Sequence, residues 1–386
     1  MQVLYLSHTA RISGAEHSLL DLLATLPAQV SPAVACPAGR LDAMVRAMSI
    51  PVVGVPGTDG SLRLHPWHST RALVEMVGAA LVVRRAAARM DANLVHANSV
   101  RAGLVAVLAR RLGGPPAIVH LRDCLPASMV TCLVRRLISR YASVLVTNSD
   151  YTAASFVDGD TRARVRTLHS LVDLSRFRPD LLSRHQARLR LRLDPSIPVV
   201  GVVAQLTPWK GQDDAIRAVA LARRTLPDLR LLIVGDAVFT SGATRQDNQA
   251  YRRHLHDLVA QLSLEASVEF LGERDDVPEI LRALDVALVP SWEEPFGRGV
   301  VEAMAMEIPV IATRVGGPPE VIRHGVDGVL LPPCAPQAWA RAILELIDDP
   351  ARCRAMGGRA RTAVTTRFGA AAHAVRLLDI YHEALT

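Results

Sequence analysis

Short apolar runs rich in Val, Ile, Leu and Ala alternate along the chain with longer segments whose apolar residues recur at helical spacing. Most of the short runs are continuously apolar, which is typical of strands buried on both faces of a parallel sheet. Regular alternation of such strands with helices predicts successive β-α-β units. We therefore expect an α/β protein built on parallel sheets.

The predicted elements form two series separated by an irregular stretch. The first series has strands at residues 3–6, 33–36, 52–55, 94–96, 118–121, 144–147 and 165–168. Residues 176–198, rich in arginine and containing proline, interrupt the rhythm and are interpreted as a connection between domains. The second series has strands at 199–204, 231–234, 268–271, 286–289, 310–312 and 329–331, then helices at 337–347 and 351–367 and a last one running to residue 386.

Chain length supports the same division, because 386 residues exceed what one hydrophobic core usually fills. We predict two doubly wound domains, each with its ligand edge at the carboxyl ends of its strands. The lack of a G-x-G-x-x-G loop argues against a typical dinucleotide dehydrogenase.

The composition narrows the choice of partners and compartment. The net charge of +7 comes from arginines grouped on predicted helices without interleaved aromatic residues, which favours solvated helix faces over nucleic-acid binding. The longest apolar stretch, residues 73–83, is too short to span a bilayer, and residues 1–6 lack the basic start of a signal peptide. The five cysteines form no C-x-x-C pair, so we expect a cytoplasmic protein without structural disulfides or zinc.

One compositional fact points to a particular residue. The chain has a single lysine, Lys210, among 44 basic residues. Lysine is a compact, mobile point charge that reaches phosphate groups well, whereas arginine forms a planar fork. A phosphate-binding role for Lys210 is therefore a reasonable first hypothesis.

The strongest chemical motif spans residues 289–306, where a predicted strand ends in a polar loop and a helix begins near Gly297 and Gly299. A helix start flanked by small residues attracts an anion to its backbone N–H groups. Glu294 lies in the loop and Glu302 in the early helix, and carboxylates accept hydrogen bonds from the hydroxyl groups of a sugar or ribose. Together these features suit a nucleotide sugar.

The string Glu294-Pro-Phe296-Gly297-Arg298, with Glu302 and the later Gly316-Gly317-x-x-Glu320, resembles the donor site of retaining GT-B glycosyltransferases of the family-4 type. The resemblance implies two Rossmann-like, doubly wound domains facing a central cleft. Residues 1–178, joined by a C-terminal helix at 370–386, would form the acceptor-binding domain. Residues 179–369 would bind the nucleotide-sugar donor.

The resemblance also assigns roles around the diphosphate. Lys210, in Gly201-Val-Val-Ala-Gln205-Leu-Thr-Pro-Trp-Lys210-Gly211, would neutralise it, although Gln205 stands where the family usually has an arginine. The backbone of Gly14, in Ser13-Gly14-Ala-Glu16, would approach the diphosphate from the other domain. The donor-binding set is thus Gly14, Gln205, Lys210, Glu294, Phe296, Gly297, Arg298, Gly299 and Glu302.

For catalysis, the resemblance implies His120, Glu294 and Lys210, with His120 contacting the transferred sugar. Candidates for the acceptor side are His96, Asn98, Arg122 and Asp123, all at predicted strand ends. Ser170 and Leu171 replace an Asn-Gly that is common in the family, so the turn there should differ in shape.

The expected reaction moves a hexose-type sugar, with retention, from a nucleoside-diphosphate donor, best taken as UDP-linked, to an acceptor hydroxyl. The acceptor is a small molecule, such as a natural product, or a cell-envelope glycan. The resemblance implies that no metal or other cofactor is needed. Three alternatives remain: a nucleotide-sugar epimerase, a non-catalytic nucleotide-sugar-binding protein and, least favoured, a pyridoxal-phosphate phosphorylase with Lys210 as its only possible Schiff-base residue.

A predicted helix at residues 131–141 leaves the question of membrane contact open. Its apolar residues are Leu133, Val134, Leu137, Ile138 and Tyr141, with three arginines between them. Such a helix can rest on an anionic membrane and meet a lipid-linked acceptor. The alternative, a helix that packs its apolar stripe on the sheet and solvates its basic face, is the more common arrangement.

Overall fold

The computed structural model describes residues 1–57, 66–125, 128–156, 164–238 and 247–386. The chain divides into two units, Met1–Leu171 with Ala370–Thr386 (unit 1) and Val172–Gly369 (unit 2). Each unit contains one parallel sheet, as the continuous apolar runs predict. All seven strands of the first series and all six of the second are present.

Unit 1 has the strand order β3-β2-β1-β4-β5-β6-β7. The strands are β1 (Gln2–Leu6), β2 (Ser31–Cys36), β3 (Val52–Gly54), β4 (Leu94–Ala97), β5 (Ala117–Leu121), β6 (Val144–Thr147) and β7 (Arg164–Thr167). The connecting helices are α1 (Gly14–Ala24), α2 (Arg40–Ala47), α3 (Pro66–Arg89), α4 (Val100–Arg111), α5 (Met129–Tyr141) and α6 (Asp150–Phe156). The strand order reverses between β1 and β4, and a sheet of this type binds ligands at the carboxyl ends of such a pair.

Unit 2 begins with α7 (Arg184–Arg190) and has the strand order β10-β9-β8-β11-β12-β13. Its strands are β8 (Val199–Val203), β9 (Arg230–Val234), β10 (Val268–Gly272), β11 (Val286–Val289), β12 (Val310–Thr313) and β13 (Val329–Leu331). Its further helices are α8 (Gln212–Ala222), α9 (Asn248–Gln261), α10 (Val277–Ala283), α11 (Arg298–Ala305), α12 (Pro318–Val321), α13 (Pro336–Asp348) and α14 (Pro350–Phe368). Here the order reverses between β8 and β11.

Both faces of the unit 2 sheet are covered by apolar side chains. Val200 and Val202 of β8 belong to a core with Ile216 of α8 and Trp339 of α13. The neighbouring residue Val199 belongs to the core on the other face, with α10 and α11. Burial on both faces explains why the strands are apolar throughout.

The last helix, α15 (Ala370–Leu385), belongs to unit 1 although the chain reaches it only after completing unit 2. Its Leu377, Ile380 and Tyr381 are buried in the same core as Val3 and Tyr5 of β1. Tyr381, near the end of the sequence, thereby shares a core with β1 of the unit 1 sheet. Within the described residues, no helix combines the length and apolar character needed to cross a bilayer.

Candidate functional site

The loops that follow β8 and β11 lie side by side because these two strands pair in parallel. The backbone N–H of Trp292 donates to the carbonyl oxygen of Trp209 across the loops, at 2.8 Å. Gly211 packs so closely on the second loop that a Cβ there would lie 2.2 Å from the carbonyl oxygen of Pro290. The point where the strand order reverses is therefore spanned by two interlocked loops.

This contact between the loops brings together two residues of the predicted donor-binding set. The Nζ of Lys210, at the end of the 3-10 helix Pro208–Lys210, donates to Oε2 of Glu294 at 2.6 Å. Ser291 donates to the same carboxylate oxygen at 2.7 Å. The side chains of Lys210 and Glu294 are only 16% and 7% exposed, so their charges are largely removed from water.

The Lys210 ammonium also lies 4.2 Å from the centre of the Trp209 ring. A cation over an indole face gains electrostatic attraction from the ring quadrupole. Trp209 and Ser291 are site residues that the sequence analysis did not single out, although both stand inside the motifs that it quotes. Trp209 directly precedes Lys210 and Ser291 lies three residues before Glu294, and this proximity in sequence is the feature that could have identified them.

Gly316 and Gly317, the second glycine pair of the motif, contact the backbone of Glu294. The backbone N–H of Gly317 donates to the carbonyl oxygen of Glu294 at 2.8 Å. Gly316 has a φ of +88°, and a Cβ at this position would lie 2.0 Å from that same oxygen. The glycines are thus required by close backbone contact, and they fix the loop that presents the carboxylate.

Helix α11 begins at Arg298 with Gly297 as its N-cap, as the sequence predicts. Its first N–H groups have no carbonyl partner within the helix and form an anion-attracting end. Within the helix, Arg298 donates to Oε1 of Glu302 at 2.7 Å, and both side chains are less than a fifth exposed. Arg298 and Glu302 therefore act as a pair at the start of this helix.

Two further residues of the predicted donor set occupy different environments. The side chain of Phe296 is 2% exposed and packs in the core, with its ring 5.9 Å from that of Phe368. Any ligand contact from Phe296 therefore comes from its backbone. Gln205 is half-buried, and its carbonyl oxygen accepts from Nε2 of Gln212 at 2.9 Å.

Asp214 holds Trp292, in the loop that follows β11, by a hydrogen bond. It accepts from Nε1 of Trp292 at 2.7 Å and from the backbone N–H of Cys334 at 3.1 Å. Burial raises the pKa of its carboxyl, while the bond from Trp292 acts in the opposite direction. These contacts join the starts of α8 and α13 to the loop after β11, and no sequence motif indicates them.

Unit 1 gathers three of the four predicted acceptor-side residues around His120. His96 Nε2 lies 3.2 Å from His120 Nδ1, and Arg122 NH2 lies 3.4 Å from the same nitrogen. Arg122 Nε also donates to Oδ1 of Asn98 at 2.8 Å. The fourth residue, Asp123, is exposed, and its charge contributes to a raised pKa of Glu16, for which burial is the main cause.

Asn98 links this cluster to the loop that precedes α1. Its Nδ2 donates to the carbonyl oxygen of Ala15 at 3.0 Å, across the reversal point between β1 and β4. The neighbouring Gly14 is exposed at the first turn of α1, where Ser13 and Glu16 form a capping box. Gly14 thus lies at a helix start, although it lies outside the hydrogen-bonded histidine cluster.

The replaced Asn-Gly turn has a different use in this chain. Ser170 is 4% exposed, and its hydroxyl accepts from Arg122 NH1 at 3.4 Å. Leu171 is 3% exposed and packs in the core beside β1 and α15. Ser170 therefore supplies a hydrogen-bond acceptor for Arg122, and Leu171 supplies an apolar contact.

The histidine cluster continues into α15 through a contact that no sequence motif indicates. The Tyr381 hydroxyl lies 2.8 Å from His96 Nδ1 and 2.8 Å from the hydroxyl of Tyr5. Burial, reinforced by the positive charge of Arg122, lowers the pKa of His96 to about 3 and that of His120 well below its usual value. Both imidazoles are therefore neutral near pH 7.

The comparisons with known proteins cover both units. Residues 184–363 match the family described as Glycosyl transferases group 1, and residues 12–176 match Glycosyltransferase Family 4. A D-inositol 3-phosphate glycosyltransferase of Thermobispora bispora is 32% identical over 76% of this chain and 71% of its own length. One from Segniliparus rotundus is 37% identical over 55% of this chain, and the match spans 46% of that relative.

Among solved structures, Anabaena Alr3699/HepE in complex with UDP-glucose is similar to the whole chain. The TM-score is 0.84 with 26% sequence identity, and the match covers 99% of each chain.

The close contact at Gly211 yields a stability test with a matched control. Gly211 and Gly272 have nearly the same φ, +68° and +66°, but Gly272 has no atom within 4 Å of an added Cβ. Gly272→Ala should cost about 1 kcal/mol of unfolding free energy from backbone strain. Gly211→Ala should cost about 3 kcal/mol or more, because the Pro290 carbonyl must also move. Equal losses in denaturant unfolding would show that the two loops are not interlocked.

Proposed function

Since the chain belongs to the family of group 1 glycosyl transferases, with its amino-terminal part matching glycosyltransferase family 4, we propose that it moves a hexose from a nucleoside-diphosphate sugar to an acceptor hydroxyl. The donor proposed is a UDP-sugar, which is also what the Anabaena relative binds. The proposed outcome is retention of anomeric configuration. No metal or other cofactor is required in this proposal.

The observation that carries the proposal is the 2.6 Å contact between Lys210 and Glu294 at the reversal point of the unit 2 sheet. A mobile cation and a carboxylate stand together beside the N-terminal end of α11, and each has a natural partner in a nucleotide sugar. The diphosphate competes with Glu294 for Lys210. The released carboxylate can then accept hydrogen bonds from sugar hydroxyls.

In the proposed reaction, the bond from the anomeric carbon to the diphosphate oxygen breaks and a bond to the acceptor oxygen forms on the same face. The acceptor proton passes to the departing phosphate oxygen. Lys210 and the start of α11 stabilise the negative charge that develops on the diphosphate. Glu302 is assigned to the ribose hydroxyls, and Gln205 can donate a hydrogen bond but adds no charge, which leaves Lys210 as the main cation.

Donor affinity tests this assignment directly by isothermal calorimetry with UDP. Lys210→Met should weaken UDP binding by about 30-fold or more, because a partly buried charge contact is lost. Glu294→Gln should bind UDP at least as tightly as the wild type, since the competitor for Lys210 is gone, yet transfer sugar poorly. Arg230→Ala, which removes an exposed cation at the amino end of β9, is the control and should change neither property.

Wild-type UDP affinity in Lys210→Met would refute the role of the lysine. Incubation of the wild type with UDP-glucose, first alone and then with candidate acceptors, separates the alternatives. A new nucleotide sugar would indicate an epimerase, and binding without transfer to any acceptor would indicate a non-catalytic binding protein.

An exposed apolar face on α5 bears on the identity of the acceptor. Val134 and Ile138 are buried against unit 1, as a packed helix requires, but Met129, Leu133 and Leu137 are 86%, 58% and 39% exposed. These three residues recur every four positions and so lie on one face of the helix. The apolar stripe is therefore divided, with Val134 and Ile138 packed on the protein and Leu133 and Leu137 exposed.

The segment of the chain that contains this face is strongly basic. Residues 66–141, which span α3 to α5, contain eleven arginines and three acidic residues, a formal +8 against +7 for the entire chain. Arg136 and Arg140 are exposed on α5 itself, and the guanidinium groups of Arg111 and Arg140 lie 4.8 and 5.7 Å from the Tyr141 ring centre. Apolar residues flanked by arginine and an aromatic ring suit the surface of an anionic membrane.

We accordingly propose that α5 rests on an anionic lipid surface and that the acceptor is a cell-envelope glycan presented there. A second candidate acceptor, a soluble phosphorylated cyclitol, is favoured by the names of the curated relatives, which act on D-inositol 3-phosphate. Transfer assays with a lipid-linked glycan fraction and with the cyclitol phosphate distinguish the two.

Vesicle flotation tests the membrane proposal. The wild type should float with vesicles of phosphatidylcholine and phosphatidylglycerol but not with phosphatidylcholine alone. Leu133→Ser with Leu137→Ser should lower the bound fraction by about tenfold or more, because each leucine loses ~1 kcal/mol or more of apolar burial. The control is Leu181→Ser with Leu189→Ser, which are 61% and 55% exposed in unit 2 and should not matter. Wild-type protein that stays in the aqueous fraction would overturn the proposal.

A further inference from the structure

His120 Nε2 is a buried polar atom without a hydrogen-bond partner among the described residues. The side chain is 1% exposed, and its other ring nitrogen has two neighbours, His96 Nε2 and Arg122 NH2. Buried polar groups in folded proteins are nearly always satisfied, so an orphan of this kind calls for a partner. Whether Nε2 donates or accepts depends on where the ring carries its single proton.

Arg122 and His96 together determine the proton position on His120. A guanidinium can only donate, so its contact with Nδ1 of His120 is a hydrogen bond when that nitrogen accepts. Because the His120 ring is neutral, its proton is then on Nε2. His96 Nε2 faces the same accepting nitrogen and must therefore carry the proton of its own neutral ring.

The tyrosines complete the assignment. With its proton on Nε2, His96 has an accepting Nδ1, which takes a hydrogen bond from the Tyr381 hydroxyl at 2.8 Å. The Tyr381 oxygen in turn accepts from the Tyr5 hydroxyl at 2.8 Å. Every proton in the row from Tyr5 to His120 thus points toward His120, and His96 is 1% exposed and Tyr381 0% exposed, which keeps water from supplying other partners.

We infer that Tyr381 and His96 are positioning residues that hold His120 as its Nε2–H tautomer, so that His120 donates a hydrogen bond to an oxygen atom of the bound substrate. That oxygen belongs to the transferred sugar or the acceptor if the proposed function is right; the tautomer itself does not depend on that function. His373, also buried with its pKa lowered to about 3, adds no charge to the cluster near pH 7. The last helix of the chain therefore contributes to the chemistry of a strand-end histidine.

Removing the Tyr381 hydroxyl should loosen this assignment. In Tyr381→Phe, His96 Nδ1 loses its donor, so a proton can move to that nitrogen and leave Nε2 as an acceptor. His120 then gains a state with its proton on Nδ1, opposed only by Arg122. Tyr5→Phe is the matched control, because it removes an equally buried hydroxyl one link farther away and leaves the bond from Tyr381 to His96 intact.

Long-range ¹H–¹⁵N spectra of the histidine-labelled full chain read the tautomers directly, with His96→Asn and His120→Asn variants used to assign the signals. The wild type and Tyr5→Phe should show His96 and His120 as pure Nε2–H tautomers, and Tyr381→Phe should show a mixture. In parallel, kcat for sugar transfer should fall about tenfold in Tyr381→Phe with unchanged UDP affinity, as expected for one weakened hydrogen bond.

A wild-type His120 protonated on Nδ1, or identical spectra in Tyr381→Phe and the wild type, would overturn the inference. The spectra require no turnover. They therefore test the tautomers of His96 and His120 even if the protein does not transfer sugar. The expected tautomers without any transferase activity would keep the positioning role and refute only the proposed function.

Discussion

The contact between Lys210 and Glu294 is the interaction on which the account of this protein rests. Both charges are mostly shielded from water, so each depends on the other and on Ser291 for its stability. Removing one member of such a pair is far more costly than exchanging it for another partner of the same sign. In the proposed function, a diphosphate replaces Glu294 as the anion beside Lys210, and sugar hydroxyls replace Lys210 as donors to Glu294. The pair is thus suited to exchange partners with a nucleotide sugar.

The backbone around this pair explains its precision. The strand order places the ends of β8 and β11 next to each other, and glycines at 211 and 316 allow carbonyl oxygens to approach more closely than any side chain would permit. Unit 1 uses a different device at its own reversal point. There the groups are neutral except for Arg122, and hydrogen-bond direction rather than charge determines what His120 can do.

Much of this architecture could be predicted from the sequence, because continuously apolar runs have few alternatives to buried parallel strands. The motif around Glu294 was also visible, since its glycines and carboxylates follow each other within one loop and helix. Tyr381 could not be found in this way, because it meets His96 only after the chain has completed a second unit 285 residues later. Nor does helical periodicity reveal that α5 buries Val134 and Ile138 but exposes Leu133, since a stripe of five apolar residues is wide enough to face in two directions.

The single lysine makes the central claim directly measurable. Protein labelled with ¹⁵N at the lysine side chain has one ammonium signal, that of Lys210, which can be followed as UDP or uridine is added. We predict that UDP shifts this signal and that uridine does not, because only the diphosphate takes the place of Glu294. An ammonium signal that stays unchanged while UDP is shown to bind would contradict it.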